Sequence, residues 1–328
     1  MNWFRLEKAR QRTILEQTSA RTEVPVYAVE KDIWVSILLQ EIFKMSCADQ
    51  IIFKGGTSLS KGWGLIKRFS EDIDLSIQRD YLGYEGDLSK NKIDQLRKAV
   101  YGFCHGDFHD ELSQTLSKSV IPDELYDLAK NHKNPEKGPV SLTLHYRSVL
   151  PTENEYVPSR VSIELSGREL KEPREILTMN TIVFKAYPQV GEADIQSDVP
   201  TIMPERTFLE KVFLLHEVFT KPIEKVNAER RSRHLYDVVQ IFERYGPKLW
   251  DKELFEITRE HRKKYTPIKG VEYDELKMNQ LKFTPYDEAA KLFKQDYETM
   301  REYMIYEPDP DTWNGLIAKL KTINSSIP

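Results

Sequence analysis

The chain has 328 residues, of which 30% are charged and 40% hydrophobic, and its formal net charge is −4. That balance belongs to an ordinary folded protein and excludes a disordered chain or a polycation that coats nucleic acid along its whole surface. The charged start MNWFRLEKARQRT lacks the apolar core of a signal peptide, and no later run reaches the roughly 20 apolar residues of a membrane span. A cytoplasmic protein without a membrane anchor is expected. Cys47 and Cys104 are too few and too far apart for a zinc site and read as packing residues.

Taken in chain order, Val29 to Phe43 repeats apolar residues at a helical period after Pro25. Ile51-Ile52-Phe53 is a short β-branched and aromatic run cut off by Gly55-Gly56, which predicts a buried strand ending in a tight turn. Ile73 to Ile77 alternates apolar and polar residues, a second strand. Ser89 to Phe103 and Pro122 to Ala129 read as helices, while Val140 to Tyr146, Val161 to Leu165 and Thr181 to Ala186 read as further strands of a mixed sheet. Beyond Pro204 the patterns are helical: Thr207 to Phe219, Arg233 to Tyr245, Lys252 to Tyr265, Pro285 to Tyr303 and Pro310 to Ile323. The expected fold is α+β, with a catalytic domain over residues 1–200 and a helical domain over 201–328 that contributes to the active site and to acceptor binding. No internal repeat argues for a solenoid.

The chemistry concentrates in Phe53 to Leu59 (FKGGTSL) and Arg68 to Leu75 (RFSEDIDL). Gly55 and Gly56, following a strand, let backbone N–H groups approach an anion closely, and Thr57 and Ser58 add hydroxyls and a helix start suited to phosphate. Asp72 and Asp74 are one residue apart, so on a strand both carboxylates leave from one face and can share divalent cations. Magnesium held between carboxylates and substrate phosphates offsets the charge that develops in phosphoryl transfer. Neither a Gly-Gly pair nor a D-x-D pair is specific alone; together on consecutive strands they point to an NTP-using transferase. Arg68 and Ser70 precede the aspartates and can reach phosphate, although Lys67-Arg68 also fits a solvated pair. Lys54 receives no role.

The segment FKGGTSLSKGWGLIKRFSEDIDLSI resembles the first motif of the AbiEii/AbiGii-type nucleotidyltransferase toxins of bacterial abortive-infection and toxin–antitoxin systems. Val29-Glu30-Lys31-Asp32 resembles the helix that leads into that motif. Thr207-Phe208-Leu209-Glu210-Lys211 resembles the family's second, basic motif, and Arg233 to Val238 (RHLYDV) its R-x-x-Y-D motif. The resemblance spans residues 25 to 245 and implies a polymerase-β-like fold. It further implies Mg2+-dependent transfer of NMP from NTP, tRNA as the acceptor in some members, and an antitoxin that restrains the toxin. It places Lys211, which with Glu210 reads as nearer the polar side of its helix, as a cation for the triphosphate, and Asp237 as a residue orienting a metal, a substrate hydroxyl or Lys211; a structural Arg–Asp pair within the series Arg230, Arg233 or His234, Asp237, at helical spacings of three and four, explains Asp237 equally well. Glu164, on the polar face of Val161 to Leu165, takes the place of the third carboxylate, as general base or metal ligand. Two departures concern the long stretch between Lys211 and Asp237, which contains Pro222, and His234, which stands where an acidic residue commonly precedes Leu-Tyr-Asp.

The basic stretch Lys221 to His234 (KPIEKVNAERRSRH) reads as a solvated helix face or as a local positive field for an RNA end. Transfer to a protein hydroxyl, a non-catalytic NTP-binding interaction module and a D-x-D glycosyltransferase are the rival readings. The tyrosines between Tyr265 and Tyr306 read as core packing.

Overall fold

In the region between Ile51 and Leu165, alternate residues of successive strands are apolar and buried, and this alternation builds a sheet with one dry face. The computed structural model describes residues 3–70, 72–131, 140–151, 158–168 and 172–328. The chain divides into two compact units, one made of Met1–Gly62 and Phe69–Ile202, the other of Trp63–Arg68 and Met203–Pro328. The fold is α+β with a mixed sheet, as the sequence predicts.

In the first unit, α1 (Lys8–Thr22) and α2 (Val26–Ile42) precede β1 (Ile51–Lys54), which ends in the three-residue α3 (Gly55–Thr57). After β2 (Asp72–Ile77) come α4 (Lys90–Phe103), α5 (His109–Lys118), β3 (Tyr126–Asn131), β4 (Val140–Tyr146), β5 (Arg160–Ser166), β6 (Arg174–Met179), α6 (Ile182–Ala186) and β7 (Ser197–Ile202). Among the described residues the sheet has seven strands in the order β3-β4-β5-β2-β1-β7-β6. β2 runs antiparallel to β1 and parallel to β5. Phe53, Leu75, Leu165, Ile163, Ile73 and Leu142 line the dry face and are at most 1% exposed.

Two assignments read from the sequence are corrected here. Tyr126 to Asn131 is not helical but pairs residue by residue with β4 after a short 3-10 turn at Asp123–Leu125, so non-local pairing overrides the local pattern. Thr181 to Ala186 is a helix, not a strand: Thr181 Oγ1 caps it by accepting the Phe184 N–H at 3.0 Å, and Asp32 Oδ2 accepts the Ile182 N–H at 2.7 Å. Strands β6 and β7 carry no clear sequence signal. β6 lies at the sheet edge with Ile176 68% exposed, and β7 contains Pro200.

Helix α2 is buried on nearly every face, as a core helix is. In its charged run Glu30 and Lys31 are buried and Asp32 is nearly so, and each residue pins a different part of the unit. Glu30 accepts from the Val149 N–H (2.7 Å) and Ser148 Oγ (2.6 Å); burial raises its pKa while these two bonds oppose the rise. Lys31 Nζ sits 5.4 Å from the centre of the Phe69 ring. Asp32 accepts from Lys61 Nζ at 2.6 Å, and Lys61 also donates to the Asn180 carbonyl. Asp32 thereby joins the segment after the glycine turn to the start of α6.

The second unit holds α7 (Pro204–Phe219), α8 (Ser232–Tyr245), α9 (Lys252–Tyr265), α10 (Asp287–Tyr303) and α11 (Trp313–Ser325). Pro204 occupies the first turn of α7, where a missing N–H is harmless. Of the C-terminal tyrosines read as packing residues, Tyr265, Tyr273 and Tyr297 are buried, and Tyr273 donates to Glu217 at 2.8 Å, whereas Tyr286 and Tyr303 are exposed. Glu217 is also held by both Arg262 donors at 2.6 Å. Among the described residues no helix is long and apolar enough to cross a membrane.

Because Lys61 and Asp32 are only 4% and 11% exposed in their side chains, removing one partner strands a buried charge. Asp32→Ala is expected to lower the unfolding free energy by about 3–5 kcal/mol in a urea titration.

Candidate active site

The glycine turn is built around a carboxylate. Gly55 has φ of +79°, and a Cβ placed there would come 1.9 Å from Asp74 Oδ2, so only glycine leaves room for Asp74 in this position. The two hydroxyls that follow point into the protein. Thr57 Oγ1 donates to the Asp72 carbonyl at 2.5 Å with Ser70 Oγ 3.1 Å away, and Ser58 Oγ donates to the Gly55 carbonyl at 2.9 Å. The expectation that Thr57 and Ser58 offer donors to phosphate is corrected accordingly: both are buried, and they tie the turn to the start of β2 and to itself. The expected helix after them is also short, three α-helical residues followed by a π-helical turn from Ser58 to Gly62. What remains for an anion is the backbone of Gly55 and Gly56. Glu71, within the motif, lies outside the described residues.

The sheet register brings the acids together. Asp74 is paired with Glu164 and Asp72 with Ser162 across the parallel β2–β5 ladder. Paired residues of neighbouring strands share a face, so Asp72, Asp74 and Glu164 leave from one side while Ile73, Leu75 and Ile163 are sealed on the other. All three acids are half-buried. The polar side continues onto β4, where Asn131 Nδ2 donates to Ser141 Oγ and Thr143 Oγ1. Lys54, given no role from the sequence, is paired with Asp74 from the β1 side and so belongs to the same face. Its signal was its place, the last strand residue before the glycines.

Within the second unit, Asp237 on α8 is fully buried between two cations. Arg68 Nε and an Arg68 terminal nitrogen donate to its two oxygens, both at 2.7 Å, and Lys211 Nζ on α7 lies 2.8 Å from Oδ2. Burial alone would raise the Asp237 pKa, but Arg68 and Lys211 prevail and hold the carboxyl far below the usual range. For Lys211 burial lowers the pKa, Asp237 opposes this, and Arg68 and Arg233 add to it. These facts correct three readings. Arg68 is 1% exposed and engaged by Asp237, neither solvated nor a free phosphate ligand; Lys211 is buried and not on the polar side of its helix; and the Arg–Asp pair is made with Arg68 from the first motif, not with the preceding basic residues of α8. Arg230 lies ahead of α8 with φ of +56°.

Residues Trp63–Arg68 are integrated into this unit by more than the ion pair. The Lys67 N–H donates to Tyr236 Oη at 3.1 Å, the Tyr306 N–H donates to the Lys67 carbonyl at 3.0 Å, and Arg68 bridges Ile305 in antiparallel fashion. The adjacent residues Tyr236 and Asp237 thus hold consecutive residues of the first motif. His234 Nδ1 is buried without a hydrogen-bond partner, and burial with Lys211 and Arg233 nearby keeps the ring neutral. A neutral imidazole adds no further positive charge to the cluster.

The basic stretch 221–234 is a loop with a 3-10 turn at Ile223–Lys225 as far as Arg231, and only its last residues, Ser232 to His234, form the first turn of α8, so it is not one helix face. Lys225 and Arg230 are exposed on it. It ends where Asp296 of α10 caps α8, accepting the N–H groups of Arg230 (2.7 Å) and Ser232 (2.9 Å).

The donor set on β2 fits magnesium in the way that ion meets nucleotides, through one or two carboxylates with the remaining positions taken by water and phosphate. Among the described residues no group of three His, Cys, Asp or Glu side chains forms an all-protein metal cage. Asp72 and Asp74 would hold the ion, with Glu164 beside them.

A family model described as "Nucleotidyl transferase AbiEii toxin, Type IV TA system" matches residues 37–319. No curated protein matches the chain. Among solved structures the chain is similar to MenT4, a nucleotidyltransferase toxin from Mycobacterium tuberculosis H37Rv, at 17% identity and a TM-score of 0.45, with 98% of this chain and 99% of that one covered.

Gly55→Ala is expected to displace Asp74 and to lower nucleotidyl transfer roughly 100-fold while the far-ultraviolet circular dichroism stays unchanged, since misplacing a reacting group by about 1 Å costs that much. Asp237→Ala leaves Arg68 and Lys211 buried without their counter-charge and is expected to cost about 3–5 kcal/mol of stability, read as a lowered melting temperature.

Proposed function

The chain belongs to the AbiEii family of nucleotidyltransferase toxins of type IV toxin–antitoxin systems, and on that premise we propose that it transfers an NMP unit from an NTP, with Mg2+, to tRNA. The observation that carries this reading is the shared face of Asp72, Asp74 and Glu164 beside the turn at Gly55. The backbone N–H groups of Gly55 and Gly56 receive the phosphates, and Thr57, Ser58 and Ser70 keep that backbone in shape. Asp72 and Asp74 would hold the magnesium ion, which would offset the charge on the phosphates. The acceptor hydroxyl attacks the α-phosphorus, the bond to the β-phosphate oxygen breaks, and pyrophosphate leaves. Glu164 is the base positioned for the hydroxyl proton. Arg68 and Lys211 are the two cations that hold Asp237 inside the helical unit.

The exposed cations Lys225 and Arg230 favour a polyanionic acceptor. The helical residues 201–328 are assigned to acceptor binding. Since both NTP and tRNA are cytoplasmic, the toxin works there, in abortive infection and phage defence, and a cognate antitoxin restrains it.

The test incubates purified protein with Mg2+, each α-labelled NTP in turn and total bacterial RNA, beside an Asp72→Ala/Asp74→Ala control. Label is expected in the tRNA fraction only with intact aspartates, and chelation of the metal should abolish it. Label in protein instead would move the acceptor to a side chain. Magnesium-dependent NTP binding without any transfer would favour a binding module.

A further inference from the structure

Lys54 ends β1, and the register sets it beside Asp74, which is itself beside Glu164. The three residues form one row across β1, β2 and β5, on the face that also carries Asp72. Directly paired residues on adjacent antiparallel strands have their Cβ atoms about 5 Å apart, close enough for an ammonium and a carboxylate to interact. The row therefore contains its own cation, half-buried like the acids it stands among. The opposite row, Phe53, Leu75 and Leu165, is at most 1% exposed, which fixes the pleat and prevents Lys54 from turning to the other side.

Three carboxylates on one half-buried face repel one another unless something positive is present. A divalent ion held there by one or two carboxylates needs water and phosphate to complete its shell. Lys54 is a cation that the fold places in the same row.

We propose that Lys54 is a positioning residue and the resident counter-ion of the acid row: it holds Asp74 and Glu164 in place before nucleotide arrives, weakens their hold on a free divalent ion, and turns to the phosphates once they are present. The enzyme then takes metal and nucleotide together as one complex in preference to loading the metal first. This rests on the metal-and-NTP reading given above. It assigns Lys54 a task distinct from that of Lys211, whose ammonium is held by the buried Asp237.

The experiment measures Mn2+ binding by calorimetry, without and with a non-reactive α,β-methylene NTP, in the wild type, Lys54→Met, Lys54→Arg and Asp72→Asn/Asp74→Asn. In the wild type the analogue should tighten Mn2+ binding at least tenfold. Lys54→Met should bind free Mn2+ about fivefold more tightly than the wild type, the order expected from removing one positive charge near a divalent ion in a high-dielectric site. The tightening by the analogue should shrink by a similar factor, and Lys54→Arg should behave as the wild type. Urea unfolding in metal-free buffer gives a second readout: Lys54→Met should destabilise the wild type but not the Asp74→Asn protein. Unchanged or weaker Mn2+ binding in Lys54→Met, or additive stability effects of Lys54→Met and Asp74→Asn, would overturn the proposal. Failure of the wild type to bind Mn2+ even with the analogue would instead defeat the metal-and-NTP reading and this inference with it.

Discussion

The candidate site depends first on the burial of Ile73, Leu75 and Ile77. A strand has only two faces, and three apolar residues sealed on one of them commit Asp72 and Asp74 to the other. Slipping β2 by a single residue against β5 would turn both carboxylates into the core, so the cost of exposing Ile73 and Leu75 protects the geometry of the acids. The same pleat aligns Glu164 from β5 and Lys54 from β1. Gly55 then fits its Cα against Asp74, which could not approach a residue with a side chain. Packing on the dry face and chemistry on the wet face are two readings of one alternation.

Much of this was legible in the residues, and the pattern of what was not is physical. The glycine turn, β2 and the polar face of β5 announce themselves locally, through period-two alternation and residues that only a turn tolerates. Pairing is not local. Nothing near Tyr126 reveals that it will add a strand beside β4, and β6, with Glu175 and Ile176 exposed, turns only Leu177 and Met179 inward, too few to leave a trace. At Thr181 the β-branched run suggested extension, whereas the cap from its own hydroxyl and from Asp32, some 150 residues earlier in the chain, made a helix. The partner of Asp237 was hidden for the same reason: the arginine that pairs with it lies 169 residues away in the chain.

The charges of the helical unit show how burial changes the meaning of a motif. On paper Lys211 looked like a surface lysine and Arg68 like half of a solvated pair; in the fold both are spent on one carboxylate away from water. A buried arrangement of two cations and one anion is stable only when each hydrogen bond is well made, which the 2.7–2.8 Å contacts satisfy. The unpartnered nitrogen and neutral state of His234 belong to the same balance, because a charged imidazole there would add a third positive charge to a single aspartate.

The position of Trp63–Arg68 has a bearing on inheritance. The backbone crosses between the two units after Gly62, after Arg68 and after Ile202, so no single cut separates them. A gene truncated at Ile202 would encode a sheet whose glycine turn and aspartate strand are joined by a segment stripped of Tyr236, Asp237 and Tyr306. Recombination that exchanged the helical half alone would pair an old segment with new partners. The two halves of this toxin are thus bound to change together, and variation in one can be accepted only at the rate that compensating variation appears in the six residues lent by the other.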